Sequence, residues 1–251
     1  MGGFHGYGRG PSGALKTWVQ RGLDIDGEAA GDRSGQSVSL SSDGTILAVG
    51  AHFNDGASGS TTDNRGHVRV WVWNGTSWGR RGADIDGEAV GDQSGYSVSL
   101  SSDGTVLAVG AYFNDGNGTD SGHVRVWAWN GTNWVQRGAD INGEAAGDYS
   151  GYSVSLSSNG SILAVGATRN DGLSGSITDN RGHVRVWSWN GANWVQRGGD
   201  IDGEAAGSGS GGISVSLIYD GSVDRTVLAV GAIFNSGGGV NSGHVRVYEY
   251  L

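Results

Sequence analysis

One segment of about 20 residues recurs four times in this chain and constrains its architecture more than any other feature. Copies of GDxSGxSVSLSSDGxxLAVGA begin at Gly31, Gly91 and Gly147, and a looser copy begins at Gly207. The starts are 60, 56 and 60 residues apart. This spacing is too long for one rung of a solenoid and suits one multi-stranded sheet per repeat. The sequence therefore predicts an array of four sheets.

The composition favours an all-β fold. The chain has 251 residues, among them 50 glycines, one proline and ten tryptophans. Glycine at this level without a G-X-Y period, combined with many tryptophans, is typical of tight turns that join short strands packed on aromatic rings.

Each repeat contains four strand patterns. In the repeat at residues 34–86, short alternating or apolar runs are separated by turn residues such as Asn74-Gly75, which suits a type I′ hairpin turn. The predicted strands are residues 37–40, 46–51, 67–73 and 77–85. A four-stranded antiparallel sheet with two apolar faces must be covered on both sides, and radial stacking achieves this. We therefore expect an all-β, four-bladed β-propeller.

The predicted domain organisation uses both ends of the chain. The last repeat supplies three strand patterns, whereas Trp18-Val19-Gln20-Arg21-Gly22 matches the fourth-strand text at residues 134–138 and 194–198. We expect a 3+1 closure, in which this segment completes the last sheet and removes an exposed edge. Residues 1–16 are predicted to be a flexible tail and residues 17–251 a single domain. Its blades span about residues 34–86, 94–142, 150–202, and 210–251 plus 17–24.

Two assemblies satisfy this pattern. One is a four-bladed ring within a single chain, and the other is half of a larger ring made by two chains that exchange the N-terminal strand. We favour the monomeric ring, because a tethered strand has a high effective concentration.

The recurring SVSLSSDGxxLAVGA and GHVRVW segments resemble FG-GAP repeats, the units of the integrin α-subunit propeller and of many surface proteins. The resemblance covers residues 18–251, with Ser34-Gly35 in the place of FG and Gly50-Ala51 in the place of GAP. It implies a propeller that acts in adhesion or extracellular assemblies, and in some members as a lectin. Many members bind calcium through a DxDxDGxxD loop, but the matching loop here holds one carboxylate, Asp43, so that site is not carried over.

Carboxylates instead gather in the connections between blades. Oxygen ligands at alternate positions beside a glycine suit Ca²⁺. Asp and Asn side chains also close turns on their own backbone, and the carboxylates could hold neighbouring arginines, so structural capping is the alternative. The candidate calcium ligands are Asp24, Asp26, Glu28, Asp32, Asp84, Asp86, Glu88, Asp92, Asp140, Asn142, Glu144 and Asp148.

The loops between the second and third strands are expected to lie on the same propeller face as these carboxylates. Their lengths alternate as 16, 12, 16 and 12 residues, so the symmetry is two-fold rather than four-fold. Loops that differ on a common scaffold are candidates for binding. The candidate binding residues are Asn54, Asp55, Asp63, Asn64, Arg65, Asn114, Asp115, Asn170, Asp171, Asp179, Asn180 and Arg181.

Other features narrow the function. The net charge of −9 and the dispersed arginines argue against nucleic acid as a partner. No apolar run could span a membrane, and the sequence begins without a signal-peptide core. The chain has no cysteine and no catalytic triad or phosphate loop, and the strand tryptophans and histidines are interpreted as packing residues. We expect a non-enzymatic module for adhesion or extracellular protein binding; the alternative is a lectin with one glycan site per blade or blade pair.

Overall fold

The computed structural model describes residues 17–56, 60–172, 179–206 and 212–250. The described residues form 18 strands in four antiparallel sheets. The predicted tail, residues 1–16, lies outside them. No helix in the described part of the chain is long and apolar enough to cross a membrane. The prediction of an all-β fold with four antiparallel blades is confirmed.

The strand bounds repeat closely from blade to blade. Blade 1 contains β1 (Ser37–Leu40), β2 (Ile46–Ala51), β3 (His67–Trp73), β4 (Trp78–Arg80) and β5 (Ile85–Asp86). Blade 2 contains β6 (Ser97–Leu100), β7 (Val106–Ala111), β8 (His123–Trp129), β9 (Trp134–Gln136) and β10 (Ile141–Asn142). Blade 3 contains β11 (Ser150–Leu156), β12 (Ile162–Ala167), β13 (His183–Trp189), β14 (Trp194–Gln196) and β15 (Ile201–Asp202). Blade 4 contains β16 (Ser214–Asp220), β17 (Arg225–Ala232) and β18 (His244–Tyr250).

The predicted fourth strand of each blade is split into two short strands. In blade 1, β4 and β5 both pair with β3, and residues 81–84 lie between them. Gly82 has a φ of 87°, a left-handed conformation that interrupts the extended backbone. Gly138 in blade 2 and Gly198 in blade 3 repeat this break. The outer strand is therefore interrupted by a bulge and then resumes its pairing with the same third strand.

Neighbouring blades pack through interlocked apolar faces. Residues of blade 1 that face blade 2, such as Ala48, Val68 and Val70, form one buried cluster with Leu107 and Val109 of blade 2. The same arrangement joins blades 2 and 3 and blades 3 and 4. The first strands of adjacent blades contact each other, β1 with β6, β6 with β11 and β11 with β16, so the first strand is the innermost one.

The N-terminal segment at residues 17–28 lies against blade 1. It forms no strand bonded to β18, and the described part of blade 4 has three strands. The Trp78 indole Nε1 donates to the Arg21 carbonyl at 2.9 Å, just as Trp134 donates to Arg81. The segment therefore takes the place that the outer strand of a preceding blade would have, while the pairing with the last blade that the sequence predicted is not formed.

Each blade junction brings the backbones of two blades into close contact at a glycine of the second strand. A Cβ built on Gly110 would lie 2.1 Å from the carbonyl oxygen of Gly151 in the next blade. Gly50 and Gly166 meet Gly95 and Gly212 in the same way. A side chain at these positions would push the two blades apart.

We expect Gly110→Ala to lower the free energy of unfolding by at least about 2 kcal/mol, because the backbone carbonyl cannot move without disturbing the junction. Gly79→Ala is the matched control, since its Cβ would meet nothing within 4 Å and its φ is ordinary. Urea denaturation followed by tryptophan fluorescence measures both variants. Equal stability of the two variants would contradict this view of the junction.

Candidate binding face

A buried aspartate ties the loop that precedes each of the first three blades to the loop between the second and third strands of that blade. The Asp92 Oδ2 atom accepts hydrogen bonds from the backbone N–H groups of Glu88 at 3.1 Å and Ala89 at 2.9 Å, and from Asn114 Nδ2 at 3.1 Å. Asp32 and Asp148 make the corresponding bonds. Burial raises the pKa of Asp148, while the hydrogen bonds that it accepts act against that rise. These three predicted calcium ligands thus cap turns.

The other predicted ligands also have partners within the fold. Asp140 accepts a hydrogen bond from Gln136 at 2.6 Å, Asp24 accepts one from Gln20 at 2.9 Å, and Asp84 pairs with Arg80. Two residues after the first aspartate of each loop, the backbone carbonyl oxygen accepts a hydrogen bond from an arginine of the following blade. The carbonyl acceptors are those of Asp26, Asp86, Asn142 and Asp202.

The glutamate of the loop that precedes each of the first three blades meets a buried histidine and an arginine. The Glu144 Oε2 atom lies 3.7 Å from His183 Nδ1, and its Oε1 atom lies 3.5 Å from Arg185 Nη1. His183 is almost fully buried, and its Nδ1 has no hydrogen-bond partner among the described residues. Burial lowers the pKa of His183 to about 4, and the charge of Arg185 acts in the same direction. The imidazole is therefore neutral at pH 7.

Within the described part of the chain, three groups at these positions have a geometry that could hold a metal ion. In each, one ligand atom from a glutamate, a histidine and an aspartate lies within 4.8 Å of the other two. The groups are Glu28, His67 and Asp84; Glu88, His123 and Asp140; and Glu144, His183 and Asp200. A nitrogen ligand beside carboxylates suits zinc or manganese better than calcium. In each group an arginine forms an ion pair with the glutamate and so already supplies positive charge.

The candidate binding loops are held rigidly at their bases. Asn114 is buried, and its Oδ1 atom accepts the N–H of Gly116 while its amide reaches Asp92. The Asp115 Oδ1 atom accepts the N–H of Asp120 at 2.8 Å. The same bonds recur at Asn54 with Asp55 and at Asn170 with Asp171.

The two long loops carry an internal ion pair each. Arg65 Nη2 lies 2.8 Å from the buried Asp63, and Arg181 Nη2 lies 2.6 Å from the buried Asp179. Asn64 and Asn180 adopt left-handed backbone conformations between these partners. Residues 57–59 and 173–178 of these loops lie outside the described part of the chain. The arginines thus order their own loops, in addition to being candidates for contact with a partner.

A cleft lined by aromatic rings opens on the same face, near the innermost strands. Its volume is about 510 Å³, and its walls come from blades 2, 3 and 4. The ring centre of Tyr96 lies 4.4 Å from that of Tyr112 and 4.9 Å from that of Tyr152. The ring centres of Tyr112 and Phe113 are 4.2 Å apart. Tyr149 packs on Tyr112 from the side of the next loop. We call this surface the tyrosine cleft; Thr168, Arg169, Asn180, Ile213 and Phe234 complete its lining.

The tyrosines of the cleft are uncharged hydrogen-bonding groups. Burial raises the pKa of Tyr112 to about 12 and raises that of Tyr96 further, so both phenols stay protonated at pH 7. The Arg169 guanidinium lies 4.5 Å from the centre of the Tyr149 ring and is exposed at the rim. Asp115 and Glu144 are exposed on the same face. The cleft therefore combines an apolar floor with a charged rim.

The tyrosines of this cleft were not among the predicted binding residues, because those residues were chosen from loops that differ in length, whereas the tyrosines are single-residue differences between the copies. Tyr96 and Tyr152 follow the SG pair, where blade 1 has Gln36. Tyr112 follows the LAVGA run, where blade 3 has Thr168. A comparison of the copies restricted to their variable positions would have picked out these tyrosines.

The comparisons with known proteins agree with this geometry at the level of the repeat. A model of the FG-GAP repeat matches residues 84–127, from β5 into the third strand of blade 2. The chain is therefore similar to the FG-GAP repeat over this stretch. The family resemblance and the propeller that it implied are confirmed. FG-GAP propellers generally act in protein interactions rather than in catalysis.

Two further comparisons add little about function. No curated protein sequence matches this chain. A solved structure that matches is titled Kuenenia stuttgartiensis hydrazine synthase, with 13% sequence identity and a TM-score of 0.49. The alignment covers 92% of this chain and 49% of that one, so this chain spans about half of its length. A likeness this distant says nothing about activity.

Stability should fall in mild acid because of the interblade histidines. The pKa of His123 and of His183 is lowered to about 4 in the folded protein, whereas an unfolded histidine titrates near pH 6.5, at roughly its ordinary pKa. Between these values the unfolded chain binds protons that the folded chain does not. The contribution to stability is therefore complete above about pH 7 and is lost as the pH falls toward about 4.

Urea unfolding at a series of pH values across this range measures the effect. We expect His183→Gln to flatten the pH dependence, and the slope is the readout because the substitution also changes stability at neutral pH. Identical slopes for the variant and the wild type would show that His183 does not contribute to the acid sensitivity.

Proposed function

We propose that the protein is a non-enzymatic, extracellular binding module that holds a protein partner in the tyrosine cleft of its acidic loop face. The observation that carries the proposal is the composition and position of the cleft. Tyrosine supplies a large contact area and a hydrogen-bonding tip at low entropic cost, and it is enriched at protein interfaces. The cleft occupies the variable positions of an otherwise repeated scaffold, which is where specificity can be built.

The acidic side chains of the loop face, which surround the cleft beyond the single arginine at its rim, indicate the kind of partner. The chain carries a net charge of −9, and Asp115, Asp171 and Glu144 lie on the loop face. Opposite charge speeds association and favours correct partners. A partner segment with an apolar or aromatic anchor and flanking lysine or arginine residues fits this surface best. Adhesion through such a segment is the biological role that we propose.

A glycan partner has less support from the geometry. A sugar ring stacks on a flat, open aromatic face, whereas the rings of Tyr96, Tyr112 and Tyr152 are tilted by 49° to 76° and cover one another. The tryptophans of the outer strands are also engaged, since Trp134 and Trp194 are 9% exposed. A lectin with one site per blade would need the same platform in each blade, and the tyrosine positions vary.

A random peptide display library tests the protein-binding proposal, because it requires no assumption about which protein the partner is. We expect the wild-type protein to enrich peptides that combine an apolar anchor with basic flanks. Tyr112→Ser with Tyr152→Ser should weaken their binding roughly thirtyfold, which corresponds to a loss of about 2 kcal/mol at an interface hot spot. Tyr219→Ser is the matched control, because Tyr219 makes its hydrogen bond to Asp224 in the turn between β16 and β17, outside the cleft.

Two results would contradict the proposal. One is the enrichment of peptides that bind the double tyrosine variant as tightly as the wild type. The other is glycan-array binding with several sites per chain, which would favour the lectin instead.

We infer that the interblade carboxylates serve the fold rather than a calcium site. Backbone and asparagine amides already satisfy the buried aspartates, and an arginine pairs with the glutamate of each group. We expect the melting temperature to be unchanged by excess Ca²⁺ or Zn²⁺ and by a chelator. A bound ion at 100 times its dissociation constant would add about 2.7 kcal/mol, so a clear rise in the melting temperature would restore the metal site, and its loss in Glu88→Gln would locate it.

A further inference from the structure

The three junctions inside the chain define how one blade recognises the next. In each junction a serine of the first strand donates to a glycine carbonyl of the following blade at 2.6–2.7 Å: Ser37 to Gly95, Ser97 to Gly151 and Ser153 to Gly212. A second serine accepts the N–H of a leucine in the following blade at 2.9–3.0 Å: Ser39 from Leu100, Ser99 from Leu156 and Ser155 from Leu217. The junction is therefore a fixed unit that recurs without change.

In blade 4, the face that would meet a following blade in such a junction is exposed to solvent. Val245 and Val247 of β18 are 69% and 68% exposed. Their counterparts in the first three blades are 0–7% exposed: Val68 and Val70, Val124 and Val126, Val184 and Val186. Gly231 corresponds to the junction glycines, yet a Cβ built on it would meet only Ser214 of its own blade. Nothing among the described residues covers this face.

Blade 1 presents the complementary half. Val38 and Leu40 of β1 are 63% and 56% exposed. The leucines that correspond to Leu40 are buried against a preceding blade at 6–7% exposure: Leu100, Leu156 and Leu217. Among the described residues, no hydrogen bond and no apolar cluster joins blade 4 to blade 1. The two exposed faces are thus the two halves of a junction that the chain does not make with itself.

The unpaired backbone edge of β18 and the unpaired N-terminal segment also complement each other. β18 is an edge strand, because the described part of blade 4 has no fourth strand. Residues 17–28 already lie against blade 1 as an outer strand would, but they pair with no sheet, and Trp18 and Val19 are exposed. An unpaired edge strand and an unpaired extended segment of matching sequence are a template for strand addition.

We propose that a second copy of this chain covers these faces in a head-to-tail assembly. The edge of β18 takes residues 18–22 of the next copy as its fourth strand, and Val245 and Val247 cover Val38 and Leu40 of that copy. The partner fits because three copies of the same junction already exist within one chain. The contact is heterologous, so a chain with both faces intact can bind a neighbour at each end.

A second copy fits better than closure of the chain on itself. The built Cβ atoms at Gly50, Gly110 and Gly166 lie 2.0, 2.1 and 2.3 Å from the next carbonyl, so all three junctions have nearly the same geometry. After three such steps the faces of blades 1 and 4 stay exposed and share no hydrogen bond or apolar cluster among the described residues. Self-closure would require all three close-packed junctions to shift, whereas the next copy continues the array with the geometry that is already present.

Light scattering after gel filtration tests the assembly with two single-face variants. We expect the wild type to have at least twice the 25.7 kDa mass of one chain. Leu40→Asp damages the blade 1 face and Val247→Asp damages the blade 4 face; both side chains are exposed, so each variant should fold. Each variant alone should be monomeric, since every junction would include one damaged face. An equimolar mixture should form a dimer, because one intact junction remains.

The mixture gives the test its specificity. A dimer in the mixture and monomers in the separate samples support the head-to-tail contact. A monomeric wild type, dimers of either variant alone, or a mixture that stays monomeric would overturn it. Val135→Asp is the matched control: Val135 is 49% exposed although blade 2 has neighbours on both sides, so this variant should keep the wild-type mass. Far-ultraviolet circular dichroism checks that all variants keep the β-sheet spectrum.

Discussion

The close approach of one glycine to a carbonyl of the next blade is the contact on which the rest of the structure depends. Gly50, Gly110 and Gly166 let the inner strands of adjacent blades meet at backbone distance. This approach places the valines of one blade among the leucines of the next, and the resulting clusters form most of the buried core. A single methyl group at this position would separate the faces that bury the largest apolar area.

Much of the fold could be predicted from the sequence because repetition averages out local ambiguity. Residues 46–51 and 67–73 were predicted as strands and are β2 and β3 at the same bounds. The outer strand was predicted as one piece, residues 77–85, whereas the structure has β4 and β5 there. The left-handed Gly82 divides it, and a glycine in a sequence does not reveal the sign of its φ angle. The N-terminal segment was predicted as a fourth strand because its sequence matches the outer strands of the other blades. Its pairing depends on the position of the last blade, which a local sequence pattern does not determine.

The candidate site was predicted less completely, for a related reason. Of the predicted loop residues, Asn180 lines the cleft, whereas Asn114 and the predicted ligand Asp92 fix a loop base. Sequence reasoning followed the residues that recur, and recurrent residues mostly hold the scaffold. Tyr96, Tyr112 and Tyr152 occur in some copies only, so their proximity emerges only when the inner strands of blades 2 and 3 are placed side by side.

The near identity of the three junctions has a consequence for how such a chain can change length. Blade 1 offers blade 2 the same serines, glycine and valines that blade 2 offers blade 3. Loss of one whole repeat, such as residues 91–146, would bring blade 1 against blade 3 with every junction residue already in place. No contact within a junction depends on how many blades the chain has. Recombination between repeats can therefore lengthen or shorten the array by whole units, and each product inherits a working interface.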